Sequence, residues 1–358
     1  MSAQPRYVGL LQRLIATPSV SRDESGTADI IYDYLAAHGA GPERVHNNVF
    51  AFSEGFDPAR PTLLLNSHHD TVRPAASYTR DPHSPDIEGG YLYGLGSNDA
   101  GASAVTLTEV FLNLRERELP FNLLLAITAE EEVGGEHGMR AFLPAMAARG
   151  IEIACAIVGE PTGMQPAVAE RGLVVLDCVT RGVSGHAARG EGINALYRAI
   201  DDIDRLRCWH APGGSEILGE VTLNVTQIEA GRAHNVIPDE CRWVVDIRTT
   251  DRYSNEETVE MLRDVVCHTE MIPRSTRVRA SVIADGHPLV QACRRLGLEP
   301  FVSPTTSDMS LMHGFPSLKI GPGESSRSHS ADEYVRLDEM ERAVEIYTEI
   351  ITSLTTLQ

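Results

Sequence analysis

The chain has 358 residues, 42% hydrophobic and 23% charged, an ordinary globular composition that excludes a disordered, fibrous or collagen-like protein. This length exceeds the size at which a single hydrophobic core usually stops growing, so we expect two domains or one domain split by an insertion. The 50 acidic residues outnumber the 31 basic ones and give a formal charge of -19, which argues against a nucleic-acid partner.

The six cysteines are scattered singly, without a C-x-x-C pair, which favours reduced thiols over a disulfide framework or a zinc ribbon. No stretch approaches the roughly 18 apolar residues of a membrane helix, and no apolar signal segment opens the sequence. We therefore expect a cytoplasmic protein without a membrane partner.

The first part of the chain predicts helices that alternate with buried strands. Helical apolar spacing covers residues 6–37, with a break at Thr17-Pro18-Ser19 that divides it into two helices. Further on, the predicted strands are 62–66, 122–128 and 153–158, and the helices between them are 102–117 and 136–149. This alternation is typical of a mainly parallel sheet covered by helices.

The pattern changes near Arg171, where six elements follow in the order β-α-β-β-α-β. They are strand 173–180, helix 192–208, strands 219–229 and 240–248, helix 255–269 and strand 277–283. This order is typical of a four-stranded α+β unit with two helices on one face. Helices at 287–296 and 337–354 would then complete the first domain. The sequence predicts an α/β domain at 1–171 and 285–358, interrupted by an α+β insertion at 172–284.

Side chains suited to chemistry follow each of the three core strands. Ser67-His68-His69-Asp70 follows the first strand, Glu130-Glu131-Glu132 the second, and Gly159-Glu160-Pro161-Thr162 the third. Ligands of open parallel sheets bind beyond the carboxyl ends of the strands, so these imidazoles and carboxylates should converge at one edge. Convergence of this kind suggests a metal site.

Each of these motifs also has an ordinary structural explanation. His68 and Asp70 point the same way from an extended segment, which suits an oriented metal ligand and equally suits a surface or capping pair. Asp99 precedes a predicted helix and fits an N-cap as well as a ligand. The run from Glu130 to Glu132 fits a solvated acidic loop, although its place directly after a buried strand favours one ligand and one carboxylate free for proton transfer.

Spacing alone does not decide the roles of two histidines that lie outside the strand ends. His329 lies in a turn-rich loop before the last helix, where a ligand, a cap or a surface histidine would fit. His186 follows the first strand of the insertion and shows nothing distinctive.

Other catalytic signatures are missing or incomplete. The segment Gly94-Leu95-Gly96-Ser97-Asn98-Asp99 has an acid in place of the third glycine of a dinucleotide-binding loop. That acid would repel a pyrophosphate and argues against a nicotinamide-dependent oxidoreductase. No H-E-x-x-H, Walker A or complete nucleophile-elbow motif occurs.

Taken together and in this order, the motifs resemble the di-zinc amidohydrolase and peptidase family of acetylornithine deacetylase, succinyl-diaminopimelate desuccinylase and glutamate carboxypeptidases. The resemblance covers nearly the whole chain. It rests on the blocks Ser67 to Val72, Tyr93 to Gly96 with Asp99, Glu130 to Glu132, Val158 to Thr162, Asn235-Val236-Ile237-Pro238, and His329 with Asp332 to Val335. It implies a zinc-peptidase-like catalytic domain with an inserted ferredoxin-like lid and dimerisation domain, and therefore a homodimer.

The resemblance also implies two zinc ions, which cobalt can replace. Asp99 would bridge the two ions, His68 and Glu160 would complete one coordination shell, and Glu132 and His329 would complete the other. Mixed histidine and carboxylate ligands suit zinc.

Five further roles follow from the same resemblance. Glu131 would be the general base, and Asp70 would orient the neighbouring histidine. His186 would stabilise the oxyanion from the partner subunit, and Asn235 and Arg248 would face the substrate, since an arginine suits a carboxylate.

The sequence departs from the family pattern at three positions. Leu95 replaces the common arginine, Gly101 replaces the usual lysine, and Glu130 replaces the usual aspartate before the paired glutamates. The third change leaves two assignments of base and ligand open, Glu131 with Glu132 or Glu130 with Glu131.

Within the family, the segments Leu65 to His68 and Ser97 to Ala102 look most like short bacterial acetylornithine deacetylases. We therefore expect hydrolysis of an Nα-acyl amino acid, with N-acetylornithine in arginine biosynthesis as the first candidate. A succinyl or acetyl derivative of citrulline or lysine and a di- or tripeptide are alternative substrates. A binding protein with decayed hydrolase ancestry would have lost a ligand or the base, and all are present.

Overall fold

The computed structural model describes residues 4–357, which form two compact units. Unit 1 contains the described residues up to Val168, Ile283–Phe301, and those from Ser307 onward, and unit 2 contains Ala169–Val282 and Val302–Thr306. The helices of the described residues are α1 (Arg6–Ile15), α2 (Ser25–Ala37), α3 (Ala102–Leu114), α4 (Met139–Ala148), α5 (Ala195–Arg207), α6 (Asn255–Arg263), α7 (Pro288–Arg295) and α8 (Leu337–Ser353).

The strands are β1 (Glu43–Val45), β2 (Asn48–Phe52), β3 (Thr62–His68), β4 (Ile87–Glu88), β5 (Tyr91–Tyr93), β6 (Asn122–Thr128), β7 (Ile153–Val158), β8 (Ala167–Glu170), β9 (Gly172–Arg181), β10 (Gly185–His186), β11 (Thr222–Ala230), β12 (Val236–Ile237), β13 (Glu240–Thr249), β14 (Thr269–Pro273), β15 (Ser281–Val282), β16 (Phe301–Ser303), β17 (Ser317–Lys319) and β18 (Tyr334–Arg336). Short helical turns lie at Ser97–Gly101, Glu131–Val133, Ala187–Arg189, Asp308–Leu311 and Ser325–Arg327.

The main sheet of unit 1 runs in the order β1-β2-β6-β3-β7-β17-β8. Its centre is parallel, because β3 pairs in parallel with β6 and β7, and β7 pairs in parallel with β17. Strands β3 and β6 are buried along their whole length, which explains why the sequence shows them as continuous apolar runs. Residues of α1, α2, α3, α7 and α8 form the core on one face, and residues of α4 and of the 308–311 turn form the core on the other.

Unit 2 contains an antiparallel sheet in the order β11-β13-β9-β14. Its chain order is β9-α5-β11-β13-α6-β14, and residues of both helices share one core with the sheet. This is the ferredoxin-like arrangement. The predicted fold class, a mixed and mainly parallel α/β sheet with an inserted α+β unit, is confirmed.

The fourth strand of unit 2 differs from the prediction. It is Thr269–Pro273 instead of 277–283, and the helix before it ends at Arg263 instead of 269. The cause is Asp202, buried on α5, whose carboxylate accepts hydrogen bonds from the backbone N–H groups of Cys267 and His268 and from Thr269 Oγ1. The chain is therefore extended directly after the helix. Only Met271 of β14 is buried, which leaves a weak apolar pattern.

All six cysteines are unpaired in the structure. Among residues 4–357, no helix combines the length and the apolar character that crossing a bilayer requires.

Candidate metal centre

The sheet of unit 1 brings three motif-bearing strand ends to one edge. β3 ends at His68, β6 ends at Thr128 just before the glutamate run, and β7 ends at Val158 just before Glu160. β3 lies between the other two, with His68 opposite Thr128 and Asn66 opposite Val158. The predicted convergence at the carboxyl ends of parallel strands therefore exists.

Asp99 lies between two histidines from distant parts of the chain. Its Oδ1 atom is 3.3 Å from Nε2 of His68, and its Oδ2 atom is 3.7 Å from Nε2 of His329. The two oxygens of one carboxylate thus face two different imidazoles. Asp99 itself belongs to an irregular turn and makes no side-chain cap at the start of α3.

Each of these histidines also lies near one glutamate. Nε2 of His68 is 3.7 Å from Oε1 of Glu160, and Nε2 of His329 is 2.9 Å from Oε2 of Glu132. Potential ligand atoms of His68, Asp99 and Glu132 all lie within 4.8 Å of one another. The five side chains form two histidine and glutamate pairs that share Asp99, and this donor set fits two ions of the zinc class.

Asp70 orients His68 and also holds the glutamate turn. Nδ1 of His68 lies 3.0 Å from the backbone oxygen of Asp70 and 3.5 Å from its Oδ1, which leaves Nε2 facing Asp99 and Glu160. The Asp70 carboxylate accepts hydrogen bonds from the backbone N–H groups of Glu131 (3.0 Å) and Glu132 (3.2 Å) and from Ser21 Oγ (2.7 Å). Burial raises the pKa of Asp70, but the contacts with His68 and Ser21 outweigh burial and lower it.

The neighbouring His69 has a different environment. Its Nε2 lies 3.0 Å from the backbone oxygen of Asn47, so it carries the hydrogen, and its Nδ1 lies 2.8 Å from Thr27 Oγ1. Burial lowers the pKa of His69 to about 4, which keeps the imidazole neutral. His69 is therefore a satisfied structural histidine.

The glutamates of the cluster are removed from water and close to other carboxylates. Burial raises the pKa of Glu131 well above its ordinary value, and the charges of Glu160, Asp308 and Glu132 raise it further. Burial likewise raises the pKa of Glu160 to about 8. Ionised carboxylates in such surroundings need compensating positive charge, which bound cations would supply.

The single lysine of the chain lies beside this cluster. Lys319 is in β17, opposite Val158 of β7, and is 1% exposed. Its positive charge lowers the pKa of Glu160, against the larger effect of burial. A fully buried lysine is rare unless acidic groups compensate its charge.

Glu130 has different partners from the next two glutamates. Its Oε1 lies 3.2 Å from Nδ1 of His137, and its Oε2 accepts a hydrogen bond from the His137 backbone N–H. Glu132 contacts His329 instead. Of the two assignments that the sequence left open, the geometry favours Glu131 with Glu132.

Position 101, where glycine replaces the usual lysine of the family pattern, has no room for a side chain. A Cβ atom there would lie 2.4 Å from the backbone oxygen of Gly96 and 2.7 Å from Cδ1 of Leu11. This close approach excludes any side chain at position 101.

Two acidic residues near the centre were not predicted. Glu333 accepts three backbone hydrogen bonds from the segment that carries Asp99, and Asp308 accepts one from Thr128 Oγ1 at 2.8 Å. Glu333 belongs to the motif that follows His329, and its place in this motif is the one feature of the sequence that could have indicated it. Asp308 stands in a stretch without periodicity.

Unit 2 carries the remaining candidates. His186 in β10 is opposite Val236 of β12, and the backbone oxygen of Asn235 accepts a hydrogen bond from Ala187 N at 3.1 Å, so these two candidates are neighbours. Arg248 lies near the other end of β13, eight residues beyond Glu240 or about 26 Å of extended chain. Its guanidinium is paired with Asp246 at 2.8 Å. The structure brings His186 and Asn235 together and keeps Arg248 apart from them.

Comparison with known proteins identifies the family. The sequence profile described as peptidase family M20/M25/M40 matches residues 64–353, a range that contains all five residues of the cluster. The chain belongs to this family. The resemblance predicted from the motifs is thereby confirmed, and the protein is a metal-dependent amidohydrolase.

Named relatives refine the comparison. A succinyl-diaminopimelate desuccinylase from Paracoccus denitrificans is 31% identical over 388 aligned residues, which cover 98% of this chain and 99% of the relative. This relative is a desuccinylase, so the narrower expectation of an acetylornithine deacetylase in arginine biosynthesis is not supported.

Solved structures of low sequence identity share the fold. A tripeptidase from Staphylococcus aureus has a TM-score of 0.75 at 22% identity, with 97% of each chain covered. A dinuclear metal-binding peptidase of the M20 family from Bacillus subtilis has a TM-score of 0.73 at 16% identity, with 98% of each chain covered.

Proposed function

We propose that this M20 amidohydrolase removes a succinyl group from the Nα-amide of an amino acid, using two zinc ions that share Asp99. The observation that carries the two-ion centre is the placement of the two Asp99 oxygens, 3.3 Å from Nε2 of His68 and 3.7 Å from Nε2 of His329. The succinyl group is proposed from the relatives, which are named desuccinylases. N-acetylornithine is the alternative substrate, because its hydrolysis uses the same chemistry.

The proposed ligands divide into two sets. His68 and Glu160 would hold one ion and Glu132 and His329 the other, with Asp99 common to both. Bound zinc would polarise the amide carbonyl and lower the pKa of water toward neutrality.

Glu131 is the proposed general base. It lies half-buried in the turn Glu131–Val133, next to the proposed ligand Glu132, where a carboxylate suits a group that accepts a proton from the attacking water and later delivers it to the leaving amine. Asp70 would hold Glu131 in place, because its Oδ1 atom accepts the Glu131 backbone N–H at 3.0 Å.

We also propose a homodimer formed through unit 2. β11 is an edge strand of nine residues that is mostly exposed, and α5 carries the exposed side chains of Tyr197 (66%) and Ile200 (49%). An exposed edge of this length is unusual in a monomer because it is a template for pairing with another chain. His186 and Asn235 of the partner subunit would then approach the oxyanion, and Arg248 would bind a substrate carboxylate after leaving Asp246.

One experiment tests the proposed reaction. Amine release is measured from N-succinyl-diaminopimelate, N-succinyl-lysine, N-acetylornithine, N-acetylcitrulline and simple dipeptides, with zinc or cobalt and with a chelator. Chelator-sensitive release that is fastest from a succinyl substrate is the expected result. Release from acetylornithine or dipeptides alone would contradict the succinyl assignment, and release that a chelator does not affect would contradict the metal centre.

Sedimentation velocity of the same sample tests the proposed dimer. The double variant Val225→Lys with Ile228→Lys, on the β11 edge strand, should dissociate it.

A further inference from the structure

His329 is the most exposed of the five proposed ligands. Its side chain is 54% exposed, compared with 14% for Asp99 and 1% for His68. His329 also has a φ of 57°, in the left-handed region that is uncommon for residues other than glycine. Its position therefore depends on the contacts of its own loop.

Glu333, four residues after His329, binds the turn that carries Asp99. The side chain is 2% exposed, and its Oε1 accepts hydrogen bonds from the backbone N–H groups of Asn98 (2.8 Å) and Asp99 (2.9 Å). Its Oε2 accepts from Gly96 N at 3.1 Å. One carboxylate thus fixes the backbone that leads into Asp99, up to the N–H group of Asp99 itself.

Asp332 binds a second, separate loop. Its Oδ1 accepts hydrogen bonds from the backbone N–H groups of Thr79 and Arg80, both at 2.9 Å, and its Oδ2 accepts from Thr79 Oγ1 at 2.5 Å. Asp332 also has a φ of 54°, in the same left-handed region as His329. Two consecutive acidic residues therefore attach the His329 loop to two other segments of unit 1.

We propose that Asp332 and Glu333 form a clamp whose role is to position His329 and Asp99 for metal binding. This inference rests on the proposed two-ion centre. Neither residue is itself a ligand in this proposal. Pairing of β18 with β5, in which Tyr334 is opposite Tyr93, already anchors the strand that follows. The clamp carboxylates are therefore not needed to hold that strand and act instead on the two ligand segments.

The two halves of the clamp should have different effects. Glu333 fixes Asp99, which is common to both ions. Loss of the Glu333 carboxylate should therefore weaken the binding of both ions. Asp332 fixes only the loop of His329, so its loss should weaken the ion held by His329 and Glu132 and leave the ion held by His68 and Glu160 nearly unchanged. A residue with a merely structural role would not separate the two ions in this way.

The test is a titration of the metal-free protein with cobalt, in which visible absorption reports the bound ions. It is carried out on the wild type, Glu333→Gln, Asp332→Asn and Asp338→Asn. Asp338 is a matched control, because it lies on the same stretch but pairs with the exposed Arg336. The thermal midpoint of each apoprotein in chelator serves as the measure of folding. Gln and Asn keep the size of the side chain.

We expect two cobalt equivalents in the wild type and in Asp338→Asn. Losing a residue that orients metal ligands typically costs about 10- to 100-fold in metal affinity, and we expect this loss for both equivalents in Glu333→Gln and for one in Asp332→Asn. Wild-type affinities in both variants would overturn the clamp alone. Equal weakening of both ions in Asp332→Asn, in proportion to a lowered thermal midpoint, would also overturn it. A wild type that binds no cobalt would overturn the proposed function together with the clamp.

Discussion

The strand ends of unit 1 and the two-stranded β10–β12 sheet of unit 2 both carry candidate catalytic residues, but they hold them in opposite ways. In unit 1, Asp70 alone accepts three hydrogen bonds, from Ser21 and from the backbone at Glu131 and Glu132. In unit 2, His186 is exposed, and its imidazole makes one hydrogen bond, accepted from Ala188 N at 3.2 Å. The first region is organised by its own backbone, whereas the second has few constraints of its own, as expected if a second subunit completes its surroundings.

The largest expected effect is in unit 1. Glu131→Gln should reduce kcat by about 10²- to 10⁴-fold, the usual contribution of a general base, and should keep the bound metal. The measurement is steady-state turnover together with metal content. Glu130→Gln is the control, because Glu130 pairs with His137, and it should retain most activity. A larger loss in Glu130→Gln than in Glu131→Gln would show that the assignment of the two glutamates is wrong.

The second prediction concerns unit 2. His186→Ala should lower kcat by about 10²-fold, as the loss of an oxyanion donor does, while metal content and the sedimentation coefficient stay at their wild-type values. Its imidazole is exposed and caps only the short 187–189 turn, through Ala188 N, so we expect the fold of unit 2 to be retained. Turnover and sedimentation of the same preparation check both points. Unimpaired turnover would remove His186 from the site.

The third prediction concerns the pH-dependent stability that His69 contributes to unit 1. The pKa of His69 falls from an ordinary 6.5 to about 4 because burial disfavours the charged form. A base with a lowered pKa contributes stability that is fully present above pH 6.5 and is lost as the pH falls toward 4. The whole difference is worth roughly 3 kcal/mol.

Urea unfolding of the metal-free protein between pH 7 and pH 4 measures this contribution. His69→Gln can make both side-chain hydrogen bonds without titrating, so its free energy of unfolding should fall less over this range than that of the wild type. Identical pH profiles for the two proteins would show that His69 does not stay neutral in the native state.

The smallest expected effect is on the fold of unit 2. Asp202→Asn leaves an amide that cannot accept all three hydrogen bonds from Cys267, His268 and Thr269, and we expect a loss of about 1–3 kcal/mol in the free energy of unfolding. Chemical denaturation measures it. Turnover per folded molecule should stay near the wild-type value. Unchanged stability would mean that the Asp202 contacts do not fix the start of β14.

The sequence was informative where burial leaves a continuous pattern. β3, β6 and most of β7 are buried on both faces, so their apolar runs located the strands, and the polar residues after them located the candidate metal centre. The local pattern does not show which of His68 and His69 faces the candidate centre, because the two residues are adjacent at the end of the same strand. Only the motif resemblance distinguished them.

Residues that act through long-range hydrogen bonds were not predictable in this way. Glu333 binds backbone groups at positions 96–99, more than 230 residues earlier in the chain, and no periodicity records such a contact. β14 was missed for a related reason, since Asp202 on α5 determines where the extended chain begins and Met271 is the one buried residue of the strand.

In the proposed site, Asp99 is shared by two metal ions. The most direct test is the zinc content per chain, measured by mass spectrometry after zinc loading and desalting, of the wild type and of Asp99→Ala. Two ions per wild-type chain and the loss of both in Asp99→Ala are the predicted result. Two tightly bound ions in Asp99→Ala, or a single ion in the wild type, would contradict it.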